Sequence, residues 1–361
     1  MTWVLVIGGA LLVAGLLYWQ LIIAEGTYLG PRVVTFLYDL IAPTYEEVKQ
    51  FDLAYEQWFL GLPLARALET VPAPLVLDVG TGTGRLPRAL LFQPAFQGQV
   101  IGLDLSRRML AEAARRLRLY GRQVVLIWQD AQTLPFPDET FDGVTCLEVL
   151  EFTPRPRAVL RELVRVLRPG GVLLISNRIG RDAALLPGRA FPRPVLEEVL
   201  ASLPLEDVQI RPWQEDYDLV WALKQGKPGG GGVRPLVEIL RCPVCRGAPL
   251  LEEKEAYICE RCGRRYPIGK DGVIEMADAT RRFPYTNCSS KRRFFCLRHR
   301  PEEAVLEAVS WGFSVPGAVR SRRRESGKIR RLFGQSVLHV DVLRAYPKSP
   351  AARKVIQAQA K

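Results

Sequence analysis

Three stretches of the chain carry residue types that can hold a nucleoside. The first is Leu75-Val-Leu-Asp78-Val-Gly80-Thr-Gly82-Thr-Gly84-Arg85, an apolar run that meets a glycine-rich turn and then a helical pattern over residues 86–92. Glycines let the backbone turn tightly and let a ligand approach where a Cβ would stand in the way. A G-x-G turn alone is shared with dinucleotide sites. Asp78, just before the glycines, separates the two cases: its charge suits a cationic amino-acid group and repels a pyrophosphate. The second stretch, Val100-Ile-Gly-Leu-Asp104-Leu105-Ser106, ends an apolar run in a carboxylate that can accept from both hydroxyls of a ribose. Asp104 and Ser106 are also types that cap helices. The place of Asp104 at the carboxyl end of a strand, where open α/β sheets bind ligands, favours the ligand role. The third is Asp130-Ala131, whose carboxylate can accept from an adenine amino group.

A fourth constellation points to a metal. Cys242-Pro-Val-Cys245 and Cys259-Glu-Arg-Cys262 form C-x₂-C-x₁₃-C-x₂-C. Each pair puts two thiolates on one tight knuckle, and two knuckles complete a tetrahedral S₄ set that suits zinc, with iron as the alternative. The role is structural, because a module of roughly 40 residues has too little core to fold without a metal. Of the remaining cysteines, Cys146 falls inside a predicted strand and reads as core, and Cys288 and Cys296 are scattered. In a reducing compartment this pattern favours a metal site over a disulfide framework.

These residues need elements to hold them. Short apolar runs at residues 75–79, 100–105, 124–128, 143–147 and 172–176 alternate with helical patterns at 86–92, 106–120 and 157–167, the last stopped by Pro169-Gly170-Gly171. Alternation of that kind predicts an α/β, doubly wound domain with a parallel sheet covered on both faces. Runs at 208–210 and 217–223 add a closing edge pair. The domain is read as residues 25–224, its first part (25–70) helical and rich in Tyr38, Tyr45, Phe51, Tyr55, Trp58 and Phe59. Residues 225–235, with Gly226-Lys-Pro-Gly-Gly-Gly-Gly232, read as a flexible linker by composition. Residues 236–276 form the cysteine module, and 277–361 a tail without clear period.

Residues 3–24 contain no charge. At a helical rise of ~1.5 Å per residue they reach roughly 33 Å, enough to cross a bilayer core. Tyr18 and Trp19 suit an interface. The absence of a basic n-region and of a clear small-x-small site speaks against a cleaved leader. Residues 1–24 are therefore read as a single-pass membrane anchor. Basic residues begin only at Arg32, which puts the main domain in the cytoplasm. The formal net charge is +12, but residues 281–361 hold 19 of the 50 Lys+Arg and 5 of the 38 Asp+Glu, so the rest, at 31 and 33, is nearly neutral. The body is thus no polycation built to coat nucleic acid. The tail reads as a basic, largely disordered extension suited to anionic lipid or, less favoured, RNA.

The order and spacing of further strings bring in a family. Tyr38-Asp-Leu-Ile-Ala-Pro-Thr-Tyr45, the Asp78–Gly84 turn, Asp104-Leu-Ser-Arg-Arg-Met109-Leu, Asp130-Ala-Gln-Thr-Leu-Pro-Phe-Pro-Asp138, Phe141-Asp-Gly-Val and Glu162-Leu-Val-Arg-Val-Leu-Arg-Pro-Gly-Gly171 occur in sequence. Residues 36–223 resemble the class I S-adenosylmethionine-dependent methyltransferases, in particular the ubiquinone- and menaquinone-biosynthesis subgroup. The resemblance implies a Rossmann-like, seven-stranded, mostly parallel sheet. It implies a cosubstrate site drawn from Asp78, Gly80, Gly82, Gly84, Asp104, Leu105, Met109, Asp130, Ala131 and Leu147. Gly80 and Gly82 would lie against the methionine part and Asp104 would hold the ribose. Asp130 and Ala131 would frame the adenine beside Met109, and Leu147 would face the sulfonium. Residues 240–276 resemble the zinc-ribbon activators of tRNA and translation-factor methyltransferases, departing from them at Gly269-Lys270 and Ile274.

The acceptor is less legible. Cys146-Leu-Glu148-Val-Leu-Glu151-Phe lacks the Asn/Asp-Pro-Pro-Tyr/Phe motif that resembles amino-group methylation of adenine or glutamine. No His precedes residue 299, so the domain has no His base. Glu148 and Glu151 remain as weak candidates. Asp142 reads as structural. The reading is an enzyme moving a methyl group to a membrane-proximal, small or lipid-like acceptor. Two alternatives stand beside it: methylation of RNA or a translation-related protein with the ribbon as built-in activator, and a cosubstrate-binding scaffold without turnover.

Overall fold

The apolar runs fold as strands in the computed structural model, which describes residues 2–277. The tail read over residues 277–361, with Cys288 and Cys296, lies outside them beyond Ala277. Five helices precede the first strand: α1 (Thr2–Tyr18), α2 (Pro31–Ile41), α3 (Tyr45–Lys49), α4 (Leu53–Glu56) and α5 (Leu62–Ala67). Then follow β1 (Leu75–Val79), α6 (Arg85–Leu91), β2 (Gln99–Asp104), α7 (Arg107–Leu117), β3 (Val124–Trp128), β4 (Phe141–Cys146), α8 (Pro156–Val166) and β5 (Leu167–Arg178). The domain closes with α9 (Gly180–Ala184), α10 (Arg193–Ala201), β6 (Leu205–Trp213) and β7 (Tyr217–Lys224).

Strands β1 to β5 pair in parallel, and β7 pairs antiparallel with both β5 and β6. All five residues of β1 are buried, as a central parallel strand requires. Its side chains alternate: Leu75, Leu77 and Val79 enter the core shared with α8, and Val76 enters the core shared with α5 and α6. Helix α8 starts with Pro156 in its first turn and buries Val159, Leu160, Leu163, Val164 and Val166 at helical spacing. Each such side chain contributes roughly 1.5–3 kcal/mol through burial.

Asp142 is the structural residue its sequence context suggests. Its Oδ2 accepts from the Leu75 amide at 2.8 Å and the Gly232 amide at 3.0 Å, and its Oδ1 from Arg168 at 2.6 Å. The glycine-rich segment after β7 is therefore partly seated, with Val233 also donating to the Ala73 carbonyl at 2.9 Å. A Cβ on Gly231 would run into the Asp142 carboxylate. Composition alone reads this stretch as a free tether, because glycine content does not reveal where a backbone docks.

The cysteine module contains α11 (Leu236–Ile239) and an antiparallel sheet of β8 (Leu250–Glu253), β9 (Ala256–Cys259) and β10 (Arg265–Pro267). Its last strand, β11 (Ile274–Glu275), leaves this sheet and pairs in parallel with β3, Ile274 opposite Ile127. The main sheet therefore has eight strands, in the order β11-β3-β2-β1-β4-β5-β7-β6, where the resemblance implies seven. The seven predicted runs all form strands, and the eighth is donated by the ribbon. The reason is edge satisfaction at the end of the strand: without β11, the outer backbone groups of Ile127 and Trp128 would stand unpaired.

Helix α1 continues as a π-helical turn over Trp19–Ile23. The resulting 22-residue helix has a mean hydropathy of 2.1 and no buried share, and among the described residues it is the one helix with the length and composition to cross a membrane, dimensions that a signal sequence shares. Its foot is seated on the domain. Trp19 donates from its indole to the Leu185 carbonyl at 3.2 Å and stacks on Tyr28 at 5.3 Å, and the Tyr28 hydroxyl donates to the Pro187 carbonyl at 2.9 Å.

Candidate functional site

The carboxyl ends of β1, β2, β3 and β4 open into one cavity. Its walls include Gly80 and Gly82 after β1, Asp104 and Leu105 after β2, Asp130 and Ala131 after β3, Leu147 and Glu148 after β4, and Met109 of α7. Helix α2 supplies another wall through Val34, Thr35 and Tyr38, with Tyr45 and Phe152 beside it. The aromatic rings contact each other: Tyr38 lies 5.5 Å edge-on from Phe152 and 5.9 Å from Tyr45. Burial holds the Tyr38 and Tyr45 hydroxyls protonated, their pKa values raised above the usual.

The glycine turn is built by hydrogen bonds to β2. The Gly80 and Thr81 amides donate to the Leu103 carbonyl at 2.7 and 3.0 Å, and the Gly82 amide donates to Asp104 Oδ2 at 2.8 Å. Gly82 has φ +54 and open space where a Cβ would stand, so the backbone itself forms the floor. Asp104 Oδ1 accepts from the Ser106 amide at 2.7 Å. Ser106 caps α7 by accepting from the Met109 amide at 3.1 Å and donates its hydroxyl to Asp39. Burial pushes the Asp104 carboxyl up to about 6, against the two amides and with a further push from Asp39 and Asp78.

Two of the sequence-predicted residues stand behind this wall. Asp78 is buried, accepts from the Thr145 hydroxyl at 2.6 Å, and is raised by burial to about 6. Gly84 has φ +86 and faces Leu117, so it lets α6 and α7 pack closely rather than touching the cavity. The two glutamates differ as well. Glu148 lines the cavity but is tied to Arg85 at 2.6 Å and Lys49 at 3.5 Å. Burial pushes its pKa up, and these two cations outweigh that and hold it below the usual carboxylate range. Glu151 turns away to accept from the Tyr217 hydroxyl at 2.6 Å, and burial raises it.

Sequence reasoning did not assign Arg85 and Glu56. Arg85 bridges Glu148 to Glu56 at 2.9 Å and lies 4.1 Å from the Phe51 ring, fastening the helices before β1 over the site. Asp39 was likewise missed as the partner of Ser106. Only their charge in apolar surroundings marks them in sequence, and their partners are remote.

The four cysteines converge, with all their sulfurs within 4.8 Å of one another. The Cys242–Cys262 and Cys245–Cys259 sulfur separations are both 3.9 Å. A tetrahedral zinc with bonds of ~2.3 Å requires about 3.8 Å between sulfurs, so the set fits that ion. The Tyr266 hydroxyl lies 3.0 Å from Cys242 Sγ, a partner for the thiolate. The ribbon reaches the side of the cavity built by the ends of β2 and β3. Arg107, directly after Ser106, meets Asp271 at 2.8 Å and Glu275 at 2.9 Å. The Met276 and Ala277 amides donate to the Trp128 carbonyl, and the Trp128 indole donates to the Leu105 carbonyl at 2.7 Å.

Residues 77–175 match the family described as Methyltransferase domain, and residues 234–272 match the Trm112p-like protein family. The chain is 38% identical over 145 residues to the 2-phytyl-1,4-naphtoquinone methyltransferase of Synechococcus elongatus, which covers 39% of this chain and 62% of that protein. It is 40% identical over 111 residues to the phosphatidylethanolamine N-methyltransferase of Cereibacter sphaeroides, covering 30% of this chain and 52% of that protein. The chain thus spans less than two thirds of the length of either relative. Among solved structures, a SAM dependent methyltransferase from Aquifex aeolicus superposes with a TM-score of 0.40 at 22% identity, over 49% of this chain and 97% of that one.

Proposed function

We propose that this chain, which carries an S-adenosylmethionine-dependent methyltransferase domain and a Trm112-like module, methylates a small, lipid-like acceptor at a membrane surface. The observation that carries the reading is the cavity itself. A bare glycine floor and three carboxylates, Asp104, Asp130 and the paired Glu148, meet apolar and aromatic walls, and one wall is the helix that follows the apolar N-terminal segment.

S-adenosylmethionine, when bound, supplies a methyl group on a cationic sulfur, open to in-line attack. The chain's part is to bind, orient and exclude water. Gly80 and Gly82 admit the amino-acid part along the backbone, and Asp78 and Gly84 brace that turn from behind. Asp104 accepts from the ribose, with Leu105 and Met109 packed beside it. Asp130 and Ala131 frame the adenine, and Leu147 faces the reacting methyl. Tyr38, Tyr45 and Phe152 close an apolar space for the acceptor. Glu148 is held charged and paired, and Glu151 is turned to Tyr217, so neither is poised as a general base. The acceptor accordingly brings its own nucleophilic atom. The naphthoquinone and phosphatidylethanolamine in the relatives' names are both lipid-like, which supports this class.

Residues 2–23 serve as an anchor that keeps the domain on the cytoplasmic face, and four thiolates hold a structural zinc. The Trm112-like match favours a second reading, methylation of RNA or a translation-related protein with the ribbon as built-in activator. The test is incubation of the full chain with radiolabelled S-adenosylmethionine and separate lipid, RNA and protein extracts. Label in lipid is expected. Label in RNA or protein would select the second reading, and tight cosubstrate binding with no label in any extract would leave a scaffold without turnover.

A further inference from the structure

The face of α8 that turns away from the core carries charges with no compensation. Arg155, Arg157 and Arg161 are exposed and meet no carboxylate among the described residues. Arg155 reaches only the Gln132 side chain at 3.2 Å, and Arg157 lies 5.8 Å from the Phe191 ring. Arg157 and Arg161 are one helical turn apart, where like charges oppose each other by a few tenths of a kcal/mol. A depression shared by these three arginines is completed by Gly188, Ala190, Phe191 and Pro192, and no acidic residue lines it. The neighbouring groove toward the ribbon adds Arg241 and Arg246, and its two acids, Asp138 and Glu162, are both occupied by Arg165. A body that is otherwise near neutral thus concentrates unpaired positive charge on one face.

That face runs directly into the foot of the N-terminal helix. Arg189 lies beside the same depression, donates to the Thr153 carbonyl and stands 5.3 Å from the Tyr28 ring. Tyr28 and Trp19 in turn bond the Pro187 and Leu185 carbonyls of the same loop. The rim residues Phe152, Thr153 and Pro154 connect this loop region to the cavity mouth.

We propose that Arg155, Arg157, Arg161 and Arg189 form a docking face for the phosphates of anionic phospholipids, continuous with the anchor and set beside the cavity mouth. The proposal rests on the reading of residues 2–23 as an anchor. Basic side chains near an anionic bilayer surface are attracted to it, each by about a factor of five in binding. The face would fix the rotation of the domain on its anchor and hold the cavity mouth against the lipid surface. Contiguity with the anchor foot favours lipid over nucleic acid as the source of the phosphate.

The test uses the full chain in nanodiscs of phosphatidylcholine or of phosphatidylglycerol, with arginine modification by phenylglyoxal read residue by residue by mass spectrometry. Modification of Arg155, Arg157 and Arg161 should be at least about fivefold slower in phosphatidylglycerol. Arg118, exposed beyond α7 on the opposite face of the sheet, should react at equal rates in both. Equal rates at the α8 arginines would overturn the proposal with the anchor intact. Protection of those arginines by added RNA in phosphatidylcholine discs, without protection by phosphatidylglycerol, would overturn it in favour of a nucleic-acid face. A chain that enters neither disc would remove the anchor and the proposal together.

Discussion

Asp104 ties the backbone of the glycine turn to the wall of the cavity. One carboxylate oxygen receives the Gly82 amide and the other the Ser106 amide, so the group that would accept from a ribose also fixes the turn around it. Burial raises it to about 6, above the ~3.9 of an unfolded Asp. The sign of the consequence is set by the charged form, which is the better acceptor. Affinity for S-adenosylmethionine should rise with pH as Asp104 ionises, by up to about tenfold per unit below pH 6, and level off above it. Titrations across that range check this, and Asp104→Asn should remove the pH step along with most of the affinity. A pH-independent affinity in the wild-type chain would contradict the role. The same shift works against stability: a carboxyl raised on folding favours the folded state below about pH 4 and loses that contribution as pH rises through about 6. Asp104, Asp130 and the glycines were legible because strand, turn and carboxylate follow each other locally. Arg85 was not, since its carboxylate partner Glu148 lies 63 positions away and only folding brings them together.

At the scale of elements, the ribbon completes the sheet. Strand β11 covers the edge of β3 at Ile127 and Trp128, and Arg107 ties it to the start of α7, next to the Asp104 carboxylate. Arg107→Ala removes charge-assisted bonds to two partly buried carboxylates, at a cost of about 1–3 kcal/mol. At about 2–4 °C per kcal/mol for a domain of this size, the melting temperature should fall by several degrees. Zinc chelation should lower it further, because the module that presents β11 loses its fold. A melting curve unchanged by both treatments would mean that the ribbon and the sheet are energetically independent. The two knuckles were legible from spacing, and so were the seven long strands from apolar runs. The two-residue β11 was not, because so short a segment has no period to read and its pairing depends on an edge elsewhere in the chain. The turn after β7 misled for a related reason: its glycines seat against Asp142 instead of spanning free space.

At the scale of the whole molecule, an apolar helix, a cavity floored by glycines and a strand presented by the four-cysteine module all meet around one end of the sheet. Calorimetric titration of the full chain with S-adenosylmethionine tests directly whether the cavity takes a sulfonium nucleoside. One equivalent should bind saturably, and binding should vanish in Gly82→Val, whose side chain would stand over the floor of the cavity and strain the left-handed turn that forms it, while the variant still melts cooperatively. The absence of any heat with S-adenosylmethionine on the folded wild-type chain, with saturable uptake of a nicotinamide dinucleotide instead, would contradict the account.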